Sequence, residues 1–167
     1  EHIWLDKNNV KIILKIIRNA LIKNSPENKT AYKRKYSIAI QKINILFKEI
    51  ELELENLEGK EFIVFHDAFQ YFEKQFSLRS IGQITDNPHL NISIKSLKKN
   101  RTKARGEKVK CVFFEPQFNK KFTNIVAKGS RARIVKIDPI GYNLEPSADL
   151  YIKLLKNISR SYKDCLS

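Results

Sequence analysis

Short apolar runs alternate with helix-like stretches throughout the part of the chain that follows Gly59. The apolar runs span 62–65, 78–84, 111–114 and 133–137, and the helix-like stretches span 68–76, 92–105, 118–128 and 148–162. Alternation of this kind is typical of βαβ units, whose crossover helices cover a parallel sheet. We therefore predict an α/β fold with a mainly parallel four-stranded sheet flanked by helices.

The first third of the chain lacks this alternation, and its apolar pattern predicts two helices. Asp6 is a plausible N-cap, and the apolar residues after it recur at three- and four-residue steps, which predicts a helix over 7–23. Asn24, Ser25 and Pro26 end that helix. Ser25 can cap a second helix with Pro26 at its first position, and we predict that this long helix spans 27–57.

The long helix carries an apolar stripe along one face, formed by Tyr36, Ile40, Ile43, Phe47, Ile50, Leu54 and Leu57. A heptad stripe of this length is compatible with a coiled-coil dimer. A single helix that lies across a domain has the same stripe. We favour the single helix, because the flanking charged residues have no clear pairing pattern.

The chain is strongly basic, with 32 Lys and Arg against 18 Asp and Glu and a formal net charge of +14. This charge makes nucleic-acid binding a hypothesis to test. Two observations count against it at this point: the lysines look scattered along the chain, and the phenylalanines lie in apolar runs. The densest basic stretch, 95–110, is interpreted as the solvated face of a helix.

The 167-residue chain has no methionine and starts at Glu1, so we expect a piece of a longer protein. Its first residues lack the apolar core of a signal peptide. No stretch approaches the roughly 20 apolar residues that a membrane span needs.

Three potential metal ligands, His2, His66 and Asp138, each stand where an apolar segment meets a break. Two imidazoles and a carboxylate are a common ligand set for a metal ion. Asp67 follows His66 and is a possible hydrogen-bond partner for its ring. Each residue also has an ordinary explanation: His66 as a structural histidine, Asp138 as the start of a turn, and His2 as an exposed residue near the terminus.

Four segments together resemble the carboxyl-terminal half of ZnuA-type proteins, the zinc-specific solute-binding components of bacterial ABC transporters. They are residues 1–6, 64–73, 111–118 and 138–141, which read EHIWLD, VFHDAFQYFE, CVFFEPQF and DPIG. The resemblance covers essentially the whole chain. It implies a solute-binding protein of the periplasm, and not an enzyme, that captures Zn²⁺ and delivers it to an inner-membrane permease.

The resemblance also implies a domain organisation of two lobes joined by a long helix. Residues 1–57 are then the interlobe segment, with the helices 7–23 and 27–57, and residues 58–167 are the carboxyl-terminal metal-binding lobe. An amino-terminal lobe, which supplies another histidine, and a signal peptide are expected to be absent from this chain. We expect a monomer that does not bind nucleic acid.

The metal ligands implied by the resemblance are His2 and His66, with Asp138 as an oxygen ligand or close neighbour. Related manganese-binding proteins have a glutamate at the position of His66, so an imidazole there favours zinc. Cys111 and Cys165 match a pair that forms a disulfide in some members of the family. Without the resemblance, two unpaired buried thiols are an equally good interpretation.

Two alternative functions remain open on the sequence alone. The first is a nucleic-acid-binding module that uses the positive charge. The second is a zinc hydrolase built on the same ligands, for which Glu115 is the obvious general base. Under the resemblance, Glu115 has a structural role at the end of a strand.

Overall fold

Four strands form a single sheet in which every neighbouring pair runs parallel, as predicted. The structure is a computed structural model that describes residues 2–106 and 108–167. The strands are β1 (Glu61–Val64), β2 (Gly82–Gln83), β3 (Val109–Phe114) and β4 (Arg133–Lys136), in the order β2-β1-β3-β4. Glu1, the first residue of the predicted interlobe segment and of its EHIWLD motif, lies outside the described residues.

Six α-helices accompany the sheet in the described part of the chain. They are α1 (Lys7–Asn24), α2 (Lys29–Glu53), α3 (Gln70–Gln75), α4 (Ile94–Ala104), α5 (Lys121–Ala127) and α6 (Leu150–Leu166). One layer of helices, α2, α3 and α6, packs on one face of the sheet, and α4 and α5 pack on the other. In the described ranges, no helix has the length and hydropathy needed to cross a membrane.

The two amino-terminal helices begin and end close to the predicted residues. The Asp6 side chain accepts a hydrogen bond of 2.7 Å from the backbone N–H of Asn9, so it caps α1 as expected. The second helix is shorter than the predicted 27–57. A 3-10 turn over Pro26–Asn28 precedes it, and it ends at Glu53, just before Asn56 adopts a left-handed φ of 68°.

The apolar stripe of α2 is buried within this chain. Ile43, Phe47 and Ile50 are at most 5% exposed and belong to the same cluster as residues of β1, β3 and α6. Lys156 of α6 and Glu49 of α2 form an ion pair of 2.9 Å on the rim of this contact. These contacts favour the single helix packed on its own domain over the coiled-coil interpretation.

The disulfide between Cys111 and Cys165 ties β3 to the last turn of α6. Both cysteines are completely buried. The disulfide predicted from the resemblance is therefore present, and the interpretation as unpaired thiols is wrong.

The Tyr162 ring lies near the disulfide, is fully buried and stacks on Phe72, and its hydroxyl donates to Glu73 Oε1 at 3.0 Å. Burial raises the pKa of Glu73, although hydrogen bonds from Ser80 and Tyr162 oppose that effect.

Candidate metal centre

The two predicted histidine ligands lie side by side at the carboxyl edge of the sheet. His66 comes just after β1, and His2 precedes the 3-10 turn Ile3–Leu5. Their ring centroids are 5.4 Å apart. Two imidazoles that bind one tetrahedral zinc through nitrogens at about 2.0–2.1 Å have ring centroids roughly 5 Å apart. The pair is therefore spaced as two ligands of one metal ion would be.

The segment that carries His2 is attached to the lobe by Trp4. Its indole Nε1–H donates to the Pro139 carbonyl at 3.0 Å, and the Tyr151 hydroxyl donates to the Trp4 carbonyl at 2.8 Å. The Trp4 ring also makes an edge contact with the His2 ring, with 5.0 Å between centroids. Leu5, at the end of the turn, is completely buried. These contacts hold His2 beside His66.

The His66 ring is oriented by Glu115 and not by Asp67. His66 Nδ1 lies 2.7 Å from Glu115 Oε1, and Glu115 is only 1% exposed, whereas Asp67 is exposed. The expectation that Asp67 fixes the ring is therefore wrong. An ionised Glu115 accepts the Nδ1–H, which leaves the Nε2 lone pair available for a metal.

Glu115 was visible in the sequence as a residue directly after a strand. Because β1 and β3 are parallel neighbours, the residues that follow them emerge at the same edge of the sheet. The sequence does not show that Glu115 is the one that reaches the ring. Burial raises the pKa of Glu115, and its hydrogen bond to His66 acts in the opposite direction. This contact also leaves Glu115 poorly placed to be the general base of a hydrolase.

Asp138 lies at the same edge, two residues after the end of β4, but its carboxylate is already engaged. Its Oδ1 accepts from the side chain of Gln117 and from the backbone N–H groups of Ile140 and Gly141, and its Oδ2 accepts from the N–H of Tyr142. Within residues 2–106 and 108–167, no group of three or more His, Cys, Asp or Glu residues forms a metal site. The structure brings His2 and His66 together without Asp138.

The third histidine, His89, is exposed. Its ring lies 6.0 Å from the centroid of Phe118, whose ring also contacts His66 at 5.8 Å. Phe118 thus contacts both rings, and among the described residues His89 does not join His2 and His66 in a group that could hold a metal ion.

Burial, with a smaller contribution from the neighbouring His66, lowers the pKa of His2 to about 4. A pKa this low keeps the His2 imidazole neutral at physiological pH, which is the form that binds a metal. The unfolded chain binds this proton with a pKa of about 6.5. Acidification between these two values therefore favours the unfolded state.

We expect His2→Gln to flatten the loss of stability on acidification. In EDTA, the free energy of unfolding of the unsubstituted chain should fall more steeply than that of the variant as the pH decreases from about 6.5 towards 4. Urea unfolding of each protein at pH 7.5 and at pH 5 gives the change in its free energy of unfolding with pH. Glu73 and Glu115 are present in both proteins, so their titration largely cancels in the comparison. Equal pH slopes would contradict the depressed pKa.

We expect Glu115→Gln to weaken zinc binding about tenfold, because partners that orient ligand histidines typically contribute 10- to 100-fold to metal affinity. The measurement is a zinc dissociation constant obtained by competition with a chromophoric chelator. Asp67→Asn, which removes the adjacent but exposed carboxylate, is the matched control and should have no effect. A larger effect of Asp67→Asn than of Glu115→Gln would refute the assignment of Glu115.

Comparison with known proteins adds independent information. The family model described as zinc-uptake complex component A, periplasmic (ZnuA), matches residues 1–165. The high-affinity zinc uptake system protein ZnuA of Brucella suis biovar 1 (strain 1330) is 37% identical over 166 residues, which cover 99% of this chain and 50% of that protein. The chain thus spans about half the length of the curated relatives it matches.

Solved structures agree with the fold. A crystal structure of ZnuA aligns with a TM-score of 0.85 at 26% identity and covers 99% of this chain and 60% of the other. A ZnuA deletion mutant with zinc bound aligns over the same shares of both chains, with a TM-score of 0.82 at 26% identity.

Proposed function

Because this chain belongs to the ZnuA family of periplasmic zinc-uptake components, we propose that it binds Zn²⁺ as the carboxyl-terminal lobe of a solute-binding protein. The observation that carries this proposal is the His2–His66 pair, with 5.4 Å between ring centroids. The low pKa of His2 favours its neutral imidazole, and the Glu115 contact orients the His66 ring so that Nε2 is free for a metal.

Two imidazoles do not complete a zinc site, which usually has four ligands. We propose that Asp138 contributes an oxygen ligand when zinc binds. For this, Asp138 would exchange its hydrogen bond from Gln117 for the metal and keep those from the backbone. The remaining ligand is proposed to come from an amino-terminal lobe, of the same or a companion chain, and a water molecule would take that position in its absence.

We propose that residues 1–57 connect the two lobes and that residues 58–167 form the metal-binding lobe. The exposed apolar residues of the first two helices support this division, because contiguous exposed apolar surface marks a contact site. On α1 these are Ile12, Ile16, Ile17 and Leu21, which are 42–62% exposed, and on α2 they include Ile38 at 46%.

The biological setting is proposed from the family. The protein would act in the periplasm as a monomer and deliver zinc to an ABC-transporter permease in the inner membrane. Binding is an equilibrium coordination without bond breaking, so no enzymatic activity is proposed. The contact of Glu115 with His66 also disfavours the hydrolase hypothesis.

Titration of the chain with Zn²⁺ and, separately, with Mn²⁺ tests the proposal. We expect one zinc ion per chain, with weaker binding of manganese, since imidazole ligands favour zinc over manganese. Binding of manganese as tight as that of zinc would contradict the assignment. Absence of zinc binding by a folded chain would contradict the site itself.

A further inference from the structure

Residues 87–137, which are named the basic segment here, form one of two strongly basic stretches of this protein. The basic segment contains fourteen Lys and Arg residues against two Glu, a net charge of +12. The other stretch, residues 7–48, contains eleven Lys and Arg residues against one Glu, so the lysines are scattered along the chain while the acidic residues are not. The basic segment comprises α4, β3, α5 and β4, which form one half of the domain.

The fold places these charges mostly on one layer. Helices α4 and α5 pack on the sheet through apolar residues such as Leu97, Ala104 and Val126. Their lysines on the opposite side are exposed, and these are Lys95, Lys98, Lys99, Lys120 and Lys121. We name the solvent-exposed side of these two helices the α4–α5 face.

Among the described residues, no lysine of the α4–α5 face forms an ion pair with a carboxylate, although Lys120 Nζ lies 4.3 Å from the centroid of the Phe114 ring. The three ion pairs between a lysine and a carboxylate in that part of the chain join Lys42 to Asp149, Lys156 to Glu49, and Lys163 to Glu53. All three lie in the layer formed by α2 and α6. A face of one charge sign without compensating groups attracts an anionic partner.

Exposed aliphatic side chains adjoin the lysines where α4 begins. Leu90 is 67% exposed and Ile94 is 71% exposed. Ile94 and Lys98 are four residues apart on α4, so they project from the same side of the helix. Lysines next to exposed aliphatic residues are typical of surfaces that bind a lipid interface, where the charges meet headgroups and the apolar groups enter the acyl boundary.

The aromatic residues of the basic segment are not available for stacking on nucleic-acid bases. Phe113 is completely buried, and Phe114, Phe118 and Phe122 are partly buried. Phe118 stacks on Phe65, with 5.1 Å between ring centroids. Proteins that bind single-stranded nucleic acid need aromatic side chains that bases can reach. This difference favours a membrane over a nucleic acid as the partner.

We propose that the α4–α5 face, together with Leu90 and Ile94, docks on an anionic phospholipid membrane. The carboxyl ends of the strands, where His66 lies, are also the side of the sheet from which the chain enters α4. Docking through this face therefore brings the edge of the sheet that carries His66 near the bilayer. The proposal needs no bound zinc and is tested separately from the zinc site.

The test is co-sedimentation of the chain with vesicles of phosphatidylcholine alone or with 30 mol% phosphatidylglycerol. We expect binding to the anionic vesicles only, with at least a tenfold loss of the partition coefficient between about 50 and 300 mM NaCl. The triple variant Lys95→Glu, Lys98→Glu, Lys99→Glu should lose at least tenfold at low salt. The double variant Leu90→Ser, Ile94→Ser should weaken binding to the anionic vesicles at low salt and also at high salt.

The matched control is Lys29→Glu, Lys33→Glu, Lys35→Glu on α2, which changes net charge equally at exposed residues. It should retain most of the binding. Equal losses in the two triple variants, no binding to anionic vesicles, or tighter binding to a 30-nucleotide RNA at the same salt would each overturn the proposal. If the α4 variant does not fold, the variant Lys120→Glu, Lys121→Glu, Lys128→Glu, at α5 and its two caps, replaces it with the same expectation.

Discussion

Replacing His66 by alanine is expected to reduce the zinc affinity of this chain by about a hundredfold or more. The substitution removes one of two neighbouring imidazoles and leaves Glu115 buried without its partner. Loss of a partner that only orients a ligand already costs 10- to 100-fold, so loss of the ligand should cost at least the upper end of that range. Isothermal titration with zinc, or chelator competition if binding is tight, measures the effect.

His89→Ala is the control for the His66 variant. It removes the same side chain from an exposed position that is not one of the proposed ligands, so zinc affinity should change less than twofold. Thermal unfolding without metal establishes that both variants are folded. Unchanged zinc affinity in a folded His66→Ala protein would eliminate the proposed site, and an equal loss in His89→Ala would point to a site that includes His89.

Loss of the Cys111–Cys165 disulfide is expected to lower the free energy of unfolding by about 4 kcal/mol, a value from the disputed chain-entropy model for a closed loop of this length. The sequence separation of the two cysteines is 54 residues. For a chain of this size, such a loss lowers the melting temperature by roughly 10 °C. The double variant Cys111→Ala, Cys165→Ala, compared with the unsubstituted protein in urea unfolding, measures this loss.

Reduction of the unsubstituted protein provides a second measurement of the same effect. The chain has two cysteines, and both are in the disulfide, so a reductant acts on this bond alone. The reduced protein and the alanine variant should unfold at similar urea concentrations, and the reductant should not change the variant. A destabilisation below about 1 kcal/mol by both routes would contradict the chain-entropy account.

The order and type of the elements could be predicted from the sequence because each element carries its own local signal. Asp6 and Pro26 mark helix starts by their own chemistry, and the apolar runs mark the strands. The boundaries depended on contacts that are not local. Strand β2 covers only Gly82–Gln83 of the predicted 78–84, because only this part pairs with β1.

The sequence suggested that His2 and His66 lie together, but it did not show the contacts around them. His2 and His66 belong to recognisable motifs, but the partner of the His66 ring is determined by which side chain crosses from the next strand. Sequence adjacency suggested Asp67, whereas the parallel register of β1 and β3 brings Glu115 to the ring. The engagement of Asp138 by three backbone N–H groups was likewise a property of the folded turn.

The hydrogen bonds of Trp4 determine when the proposed metal site can assemble during synthesis. They join Trp4 to Pro139 and Tyr151, which are 135 and 147 residues further along the chain. Contacts of such long range form late, since the intervening chain must first be made and ordered. The ribosome must therefore complete nearly the whole of this sequence before His2 can be held beside His66. While the chain is still emerging from the ribosome, the edge that carries the proposed metal ligands would therefore be unassembled.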